Sequence, residues 1–168
     1  MNWEETGLKL TMETDFPVTN NVKLIINESG SFNKDICIRY PSWVEEGGIA
    51  ITINGAKQKI SAKPGEIIEL SSSWAAGDEI LITIPCKLRL VDLPDDINVS
   101  AIFYGPVLLA ANMGEVGQSD IGFSWPQEEI KDPAPDAYFP SLMGSRKALE
   151  SWIIKKEGTL NFTTTGLG

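Results

Sequence analysis

DICIRYPSWVEEGGIAITINGAKQKISAKPGEIIELSSSWAAGD, from Asp35 to Asp78, is the stretch whose reading decides the fold. Within it Ile36, Ile38 and Tyr40 recur at every second position, as do Ile49, Ile51 and Ile53. A period of two is the repeat of a strand with one face on a core and the other turned outward. Turn residues punctuate these runs. Asn54-Gly55 accepts the positive φ angles of a two-residue hairpin, so the chain is expected to run back through Gln58 and Ile60. Pro64-Gly65 marks the next reversal, before a strand at 67–70. Ala76-Gly77-Asp78 makes another just after Trp74.

The same alternation extends in both directions. Leu8, Leu10 and Met12 alternate with Lys9, Thr11 and Glu13, and Val22, Leu24 and Ile26 share one face. Downstream, Ile80, Ile82, Ile84, Cys86, Leu88 and Leu90 hold every even position for longer than a strand usually runs. Pro85 interrupts that run without an N–H to donate, so an edge, a bulge or a bend is expected there. VSAIFYGPVLLAA, residues 99–111, is apolar on both faces and broken by Gly105-Pro106, and it reads as a strand covered on both sides. About eight to ten short strands, with turns every 8–12 residues, predict an all-β protein. The expected architecture is an antiparallel, jelly-roll-like β-sandwich.

Texture divides the chain into a sandwich core over residues 1–112 and an irregular extension over 113–168 that wraps it. Residues 113–144 are rich in Gly, Pro, Asp and Ser. A short helix is expected at about residues 145–154, where Leu149, Trp152 and Ile153 fall at i, i+3 and i+4, with Gly158 to stop it. A last strand is expected at about 159–164, where Leu160 and Phe162 alternate with polar residues.

Composition removes whole classes of function. The 168 residues carry a formal net charge of −9, which argues against binding nucleic acid or an anionic membrane. No stretch approaches the ~20 apolar residues that span a bilayer, and no secretory signal opens the chain. With no histidine, the chain lacks the commonest general base and the commonest metal ligand. Cys37 and Cys86 are too few for a four-cysteine zinc site. They read as free buried thiols, or as one disulfide if their strands are neighbours. No cofactor is expected.

Candidate residues are correspondingly few. Trp43, Trp74 and Trp125 offer aromatic faces suited to sugar rings. Trp74, between a strand and a turn, reads as core, whereas Trp43 near a rim and Trp125 in the extension are the candidates for carbohydrate contact. Trp3 and Trp152 read as clamps for the termini. The carboxylate pairs Glu45-Glu46, Asp95-Asp96 and Glu128-Glu129 are adjacent in sequence. Glycosidases need two carboxyls converging across roughly 5–10 Å, so these read as solvated turn residues. Asp92, Asp95, Asp96 and Asn98 match no EF-hand spacing. Arg39, beside Cys37 on the outward face of its strand, is expected to pair with Asp78. Asn54, Gly55, Gly105 and Pro106 complete the structural set as turn formers, and no catalytic or metal-binding residue is assigned.

Five segments in order carry a resemblance. RYPSW (39–43), ITING (51–55), PGEIIEL (64–70), SWAAGDEILITIP (73–85) and FYGPVLLA (103–110) together resemble the β-sandwich region of glycoside hydrolase family 127, which includes bacterial β-L-arabinofuranosidases. LKLTMETDFP (8–17) and LNFTTTG (160–166) are similar to its entry and its continuation. The resemblance implies that the chemistry sits in a helical barrel, with a cysteine nucleophile near a zinc bound by glutamate and cysteines. No residue of that site has a counterpart in this chain. The expectation is a non-catalytic accessory sandwich that braces the barrel, with plant-derived saccharides as possible ligands. An independent carbohydrate-binding module and an extracellular interaction domain are the alternatives.

Overall fold

A computed structural model describes residues 1–29, 35–112 and 144–165. Its largest element is a six-stranded antiparallel sheet in the order β1-β2-β3-β8-β5-β6. β1 is Asn2–Trp3, β2 is Leu8–Thr14 and β3 is Asn21–Glu28. β5 is Ala50–Ile53, β6 is Ala56–Lys57 and β8 is Glu79–Thr83. A separate antiparallel pair joins β4 (Ile36–Arg39) to β7 (Ile67–Leu70).

Side-chain alternation locks these two layers onto one core. Leu8, Leu10, Leu24, Ile26, Ile51, Ile80 and Ile82 come from the large sheet, and Ile68 and Leu70 from the pair. Tyr40, Val44, Ile49 and Trp74 fill the space between. Ile26, Ile51 and Ile80 are fully enclosed, each contributing about 1.5–3 kcal/mol of apolar transfer energy. The register explains the fit, since Leu24 lies opposite Ile80 and Ile51 opposite Ile82 on the inward face. Slipping a strand by one residue would turn these isoleucines to solvent.

The turns follow their residues. Asn54 and Gly55 have φ of 50° and 79°, the left-handed pair of a type I′ turn, and they join β5 to β6 as expected. At Pro85 the chain leaves the first sheet altogether. The even-numbered run splits into β8 and then β9 (Leu88–Asp92), which pairs with β10 (Ser100–Tyr104) in a three-stranded sheet.

Two expectations need correction. Residues 99–111 are not one strand covered on both sides. The chain folds back at Gly105-Pro106, so β10 pairs with β11 (Val107–Leu108). Gly105 has φ of 54° at the first turn position, which a two-residue hairpin with proline following requires. The helix over 145–154 is replaced by a single 3₁₀ turn, Leu149–Ser151, and strand β12, Ile153–Lys155. Ala148 caps that turn with no side-chain bond, and ten residues form only a marginal helix in water. The β-branched Ile153 and Ile154 instead pair with β13, Phe162–Thr164, where a strand was expected. Leu149 and Ile153 are buried all the same, so the i, i+4 spacing registered burial and misassigned the backbone.

Candidate functional site

The side chain that organises the most distinctive surface region is Tyr40. Its ring is fully enclosed, and its hydroxyl donates to the Glu45 carbonyl at 2.7 Å. The same oxygen accepts from the Gly48 and Ile49 N–H groups at 3.2 and 3.4 Å. One buried hydroxyl thus fixes the loop of residues 41–48, and this loop carries Trp43. Its indole stacks on Phe16, with centroids 6.4 Å apart and planes 22° from parallel. A side chain at Gly105 would begin 3.4 Å from the indole rim and 2.5 Å from the Cys86 sulfur. Trp43 is therefore half-buried at the joint between the sandwich and the β10–β11 hairpin.

Beside it lies a cleft of about 140 Å³, bounded by Trp43, Pro85, Lys87, Leu88 and Arg89. Glu45 is at its rim and is salt-bridged to Lys87 at 3.0 Å. Arg89 lies 4.4 Å over the Phe103 ring and donates to the Gly105 carbonyl at 3.4 Å. Its Nε is buried without a partner among the described residues. The cleft thus offers one aromatic wall and a neutralised ion pair. Among the described residues its lining carries a single carboxylate, where hydrolysis of a glycosidic bond ordinarily employs two.

A larger cavity, about 550 Å³, lies between the three-stranded sheet and residues 144–152. Leu90, Ile102, Leu149 and Trp152 form its apolar wall, and Arg146 lies at its edge in an ion pair with Asp92. Asp92 is held below the usual carboxylate range by the Ser100 hydroxyl, bonded at 2.6 Å, and by Arg146. No carboxylate lines this cavity among the described residues.

The structural residues lock turns to strands. Asn54 donates from Nδ2 to Asp78 at 2.9 Å and accepts the Glu79 N–H at 2.9 Å, tying the β5–β6 turn to the start of β8. Asp78 also accepts the Ala75 N–H at 2.8 Å. That bond and the one from Asn54 pull its carboxyl below the ordinary value. Arg39 is not its partner. Arg39 faces outward on β4, opposite Ile67, and belongs to no ion pair among the described residues. Alternation along β4 puts it on the outward face with Cys37, while Asn54 reaches Asp78 across the turn. Trp74 is buried in the core.

The other candidates are dispersed. Trp125 and Glu128-Glu129 lie outside the described residues. Asp96 caps its own turn by accepting the Asn98 N–H at 2.9 Å, while Asp92 is bonded to Ser100 and Arg146, so the four residues 92, 95, 96 and 98 do not converge. Among the described residues no three His, Cys, Asp or Glu side chains are grouped as a metal site. Both cysteines are free, but they differ. Cys86 is buried, and burial pushes its thiol up, whereas Cys37 is exposed on the same outward face as Arg39. Trp3 is 46% exposed, so the β1 backbone and the Met1 amino group, 2.7 Å from the Leu10 carbonyl, secure that terminus instead. Trp152 packs against Gly144 and donates to the Ser145 carbonyl at 3.1 Å.

Sequence reading placed Tyr40 on an alternating face but missed the role of its hydroxyl in the loop, and it missed Arg89. A tyrosine ending an inward-facing alternation ahead of Pro41 was the available signal for the first. No local pattern marks the second, since Phe103 and Gly105 approach it only through the β9–β10 pairing.

Residues 1–86 match the family model described as "Beta-L-arabinofuranosidase, GH127 middle domain". A solved structure described as a glycoside hydrolase superposes over 64% of this chain and 19% of its own, with a TM-score of 0.55 and 26% identity. A GH127 β-arabinofuranosidase gives a TM-score of 0.51 at 18% identity, covering 64% of this chain and 20% of its own, a likeness of fold. A GH127 β-L-arabinofuranosidase from Geobacillus stearothermophilus T6 gives 0.49 at 22% identity over 64% and 18%. The chain spans about a fifth of the length of these structures. No curated protein matches it.

Proposed function

This chain belongs to the GH127 β-L-arabinofuranosidase family, in the part its model calls the middle domain, and from that premise we propose that it is a non-catalytic β-sandwich of a longer glycoside hydrolase. Its role is to brace a catalytic region supplied by the rest of such a polypeptide, the helical barrel that the motif resemblance implies. The observation that carries this reading is proportion. The chain corresponds to about a fifth of a solved glycoside hydrolase 26% identical to it.

The side chains support the same reading. Glu45 and Asp92 are engaged by Lys87 and Arg146, and Asp78 by a turn, so each serves the scaffold. The mechanism of bracing is packing. A core closed by Ile26, Ile51 and Ile80 makes the sandwich stiff, and a stiff body can fix the position of a neighbour.

Carbohydrate binding through Trp43 is the competing reading. It is disfavoured because Phe16 occupies one face of the indole and Gly105 abuts its rim. Titrating the purified chain with methyl arabinosides and arabinan, while following tryptophan fluorescence, tests the choice. Bracing predicts an unchanged spectrum. A saturable shift abolished by Trp43→Ala would replace bracing with sugar recognition.

A further inference from the structure

The three-stranded sheet β9–β11 is apolar on both faces, yet the described residues cover only one. Its even-numbered face is turned into the chain, where Leu90 and Ile102 line the larger cavity and Tyr104 meets Phe162 at 5.2 Å between ring centres. The odd-numbered face places Phe103 beside Leu108 and Ala101 beside Val91, and the Leu93 N–H donates to the Val99 carbonyl at 3.0 Å in the next row. Val91, Leu93 and Leu108 are 39%, 41% and 57% exposed, while Val99 also borders the larger cavity. Arg89 is the charged member of these rows, opposite Phe103 and lying over its ring.

We propose that this face is the docking surface for the remainder of a longer glycoside hydrolase, an inference that rests on the bracing role above. Contiguous apolar area of this kind is uncommon on a free-standing soluble chain and marks a contact surface. Three observations select the occupant. In the solved relatives about four-fifths of the polypeptide lies beyond the part that this chain matches, so a covalently attached partner is at hand. A second copy is the poorer fit, because each chain carries −9 and the pair would repel. The outer face of the six-stranded sheet carries the ion pairs Lys9–Glu28 and Lys23–Glu79, which suit water. The partner surface is therefore apolar.

The test places this whole chain, in place of its matched fifth, within the 26%-identical glycoside hydrolase, and compares the chimera with the free chain. Hydroxyl-radical footprinting should show Val91, Leu93 and Leu108 at least fivefold less reactive in the chimera. The V91D/L108D double variant should lower the chimera's melting temperature by several degrees and leave that of the free chain within about one degree. L108K alone should repeat the pattern at smaller size. Equal reactivity in both contexts would overturn the proposal, as would a chimera that does not melt cooperatively. So would a free-chain dimer dissolved by V91D/L108D, which would assign the face to a second copy. Arabinoside hydrolysis by the free chain would instead refute the bracing role, leaving the footprint result to stand by itself.

Discussion

Replacing Tyr40 with phenylalanine removes one oxygen atom and keeps the ring, so it isolates the hydroxyl's contribution to the loop that carries Trp43. The hydroxyl serves three backbone groups, at 2.7, 3.2 and 3.4 Å. The Gly48 N–H and the Glu45 carbonyl keep each other at 2.9 Å, so the Ile49 N–H is the group left short. A lost hydrogen bond costs about 1 kcal/mol net, and a buried donor left unpaired costs about 1–3 kcal/mol. The sum, about 2–4 kcal/mol, corresponds to a fall of roughly 4–16 °C in melting temperature for a chain of this size. Urea unfolding followed by tryptophan fluorescence should show a lower midpoint with an unchanged slope, because the surface exposed on unfolding stays the same. A loss below about 0.5 kcal/mol would refute the argument that this hydroxyl anchors the loop.

Other perturbations read other parts of the structure. Ile80→Ala near the start of β8, where the side chain is fully buried, should cost about 2–5 kcal/mol in chemical denaturation. Asp78→Ala should destabilise at neutral pH by releasing Ala75 and Asn54. Because folding lowers the Asp78 pKa, that contribution exists above the unfolded value near 4 and fades as pH falls through the folded one. Melts of both proteins should therefore converge as the pH falls through the lowered range in which the folded carboxyl takes up its proton, and a constant gap would contradict the assignment. Titration of the native chain with a thiol reagent should modify Cys37 promptly and Cys86 only after denaturant is added.

The sandwich was legible because its information is local. Alternation at Ile36–Tyr40, Ile49–Ile53 and Ile80–Ile84 fixes which faces turn inward, and Asn54-Gly55 sets a hairpin by backbone sterics alone. Where strands pair to distant partners, local reading failed. Leu149, Trp152 and Ile153 satisfy a helical spacing, but the choice of strand depends on Phe162–Thr164, about ten residues further on. The apolar run 99–111 contained its own turn at Gly105-Pro106, yet apolarity on both faces could not distinguish one covered strand from a hairpin.

The candidate site was less legible for the same reason. The Arg39–Asp78 pairing was inferred from charge, but an uncharged side chain, Asn54, holds Asp78 because the β5–β6 turn ends beside the start of β8. The Trp43 environment is assembled from Phe16, Cys86 and Gly105, which are far apart in the chain. No spacing rule links them.

The claim that this sandwich serves a catalytic region without performing catalysis is tested most directly by incubating the purified chain with a chromogenic β-L-arabinofuranoside. Release of chromophore at the buffer rate, unchanged across preparations and in Glu45→Gln, is the predicted result. Turnover that tracks the chain through successive purification steps and is abolished by a carboxylate substitution would contradict it.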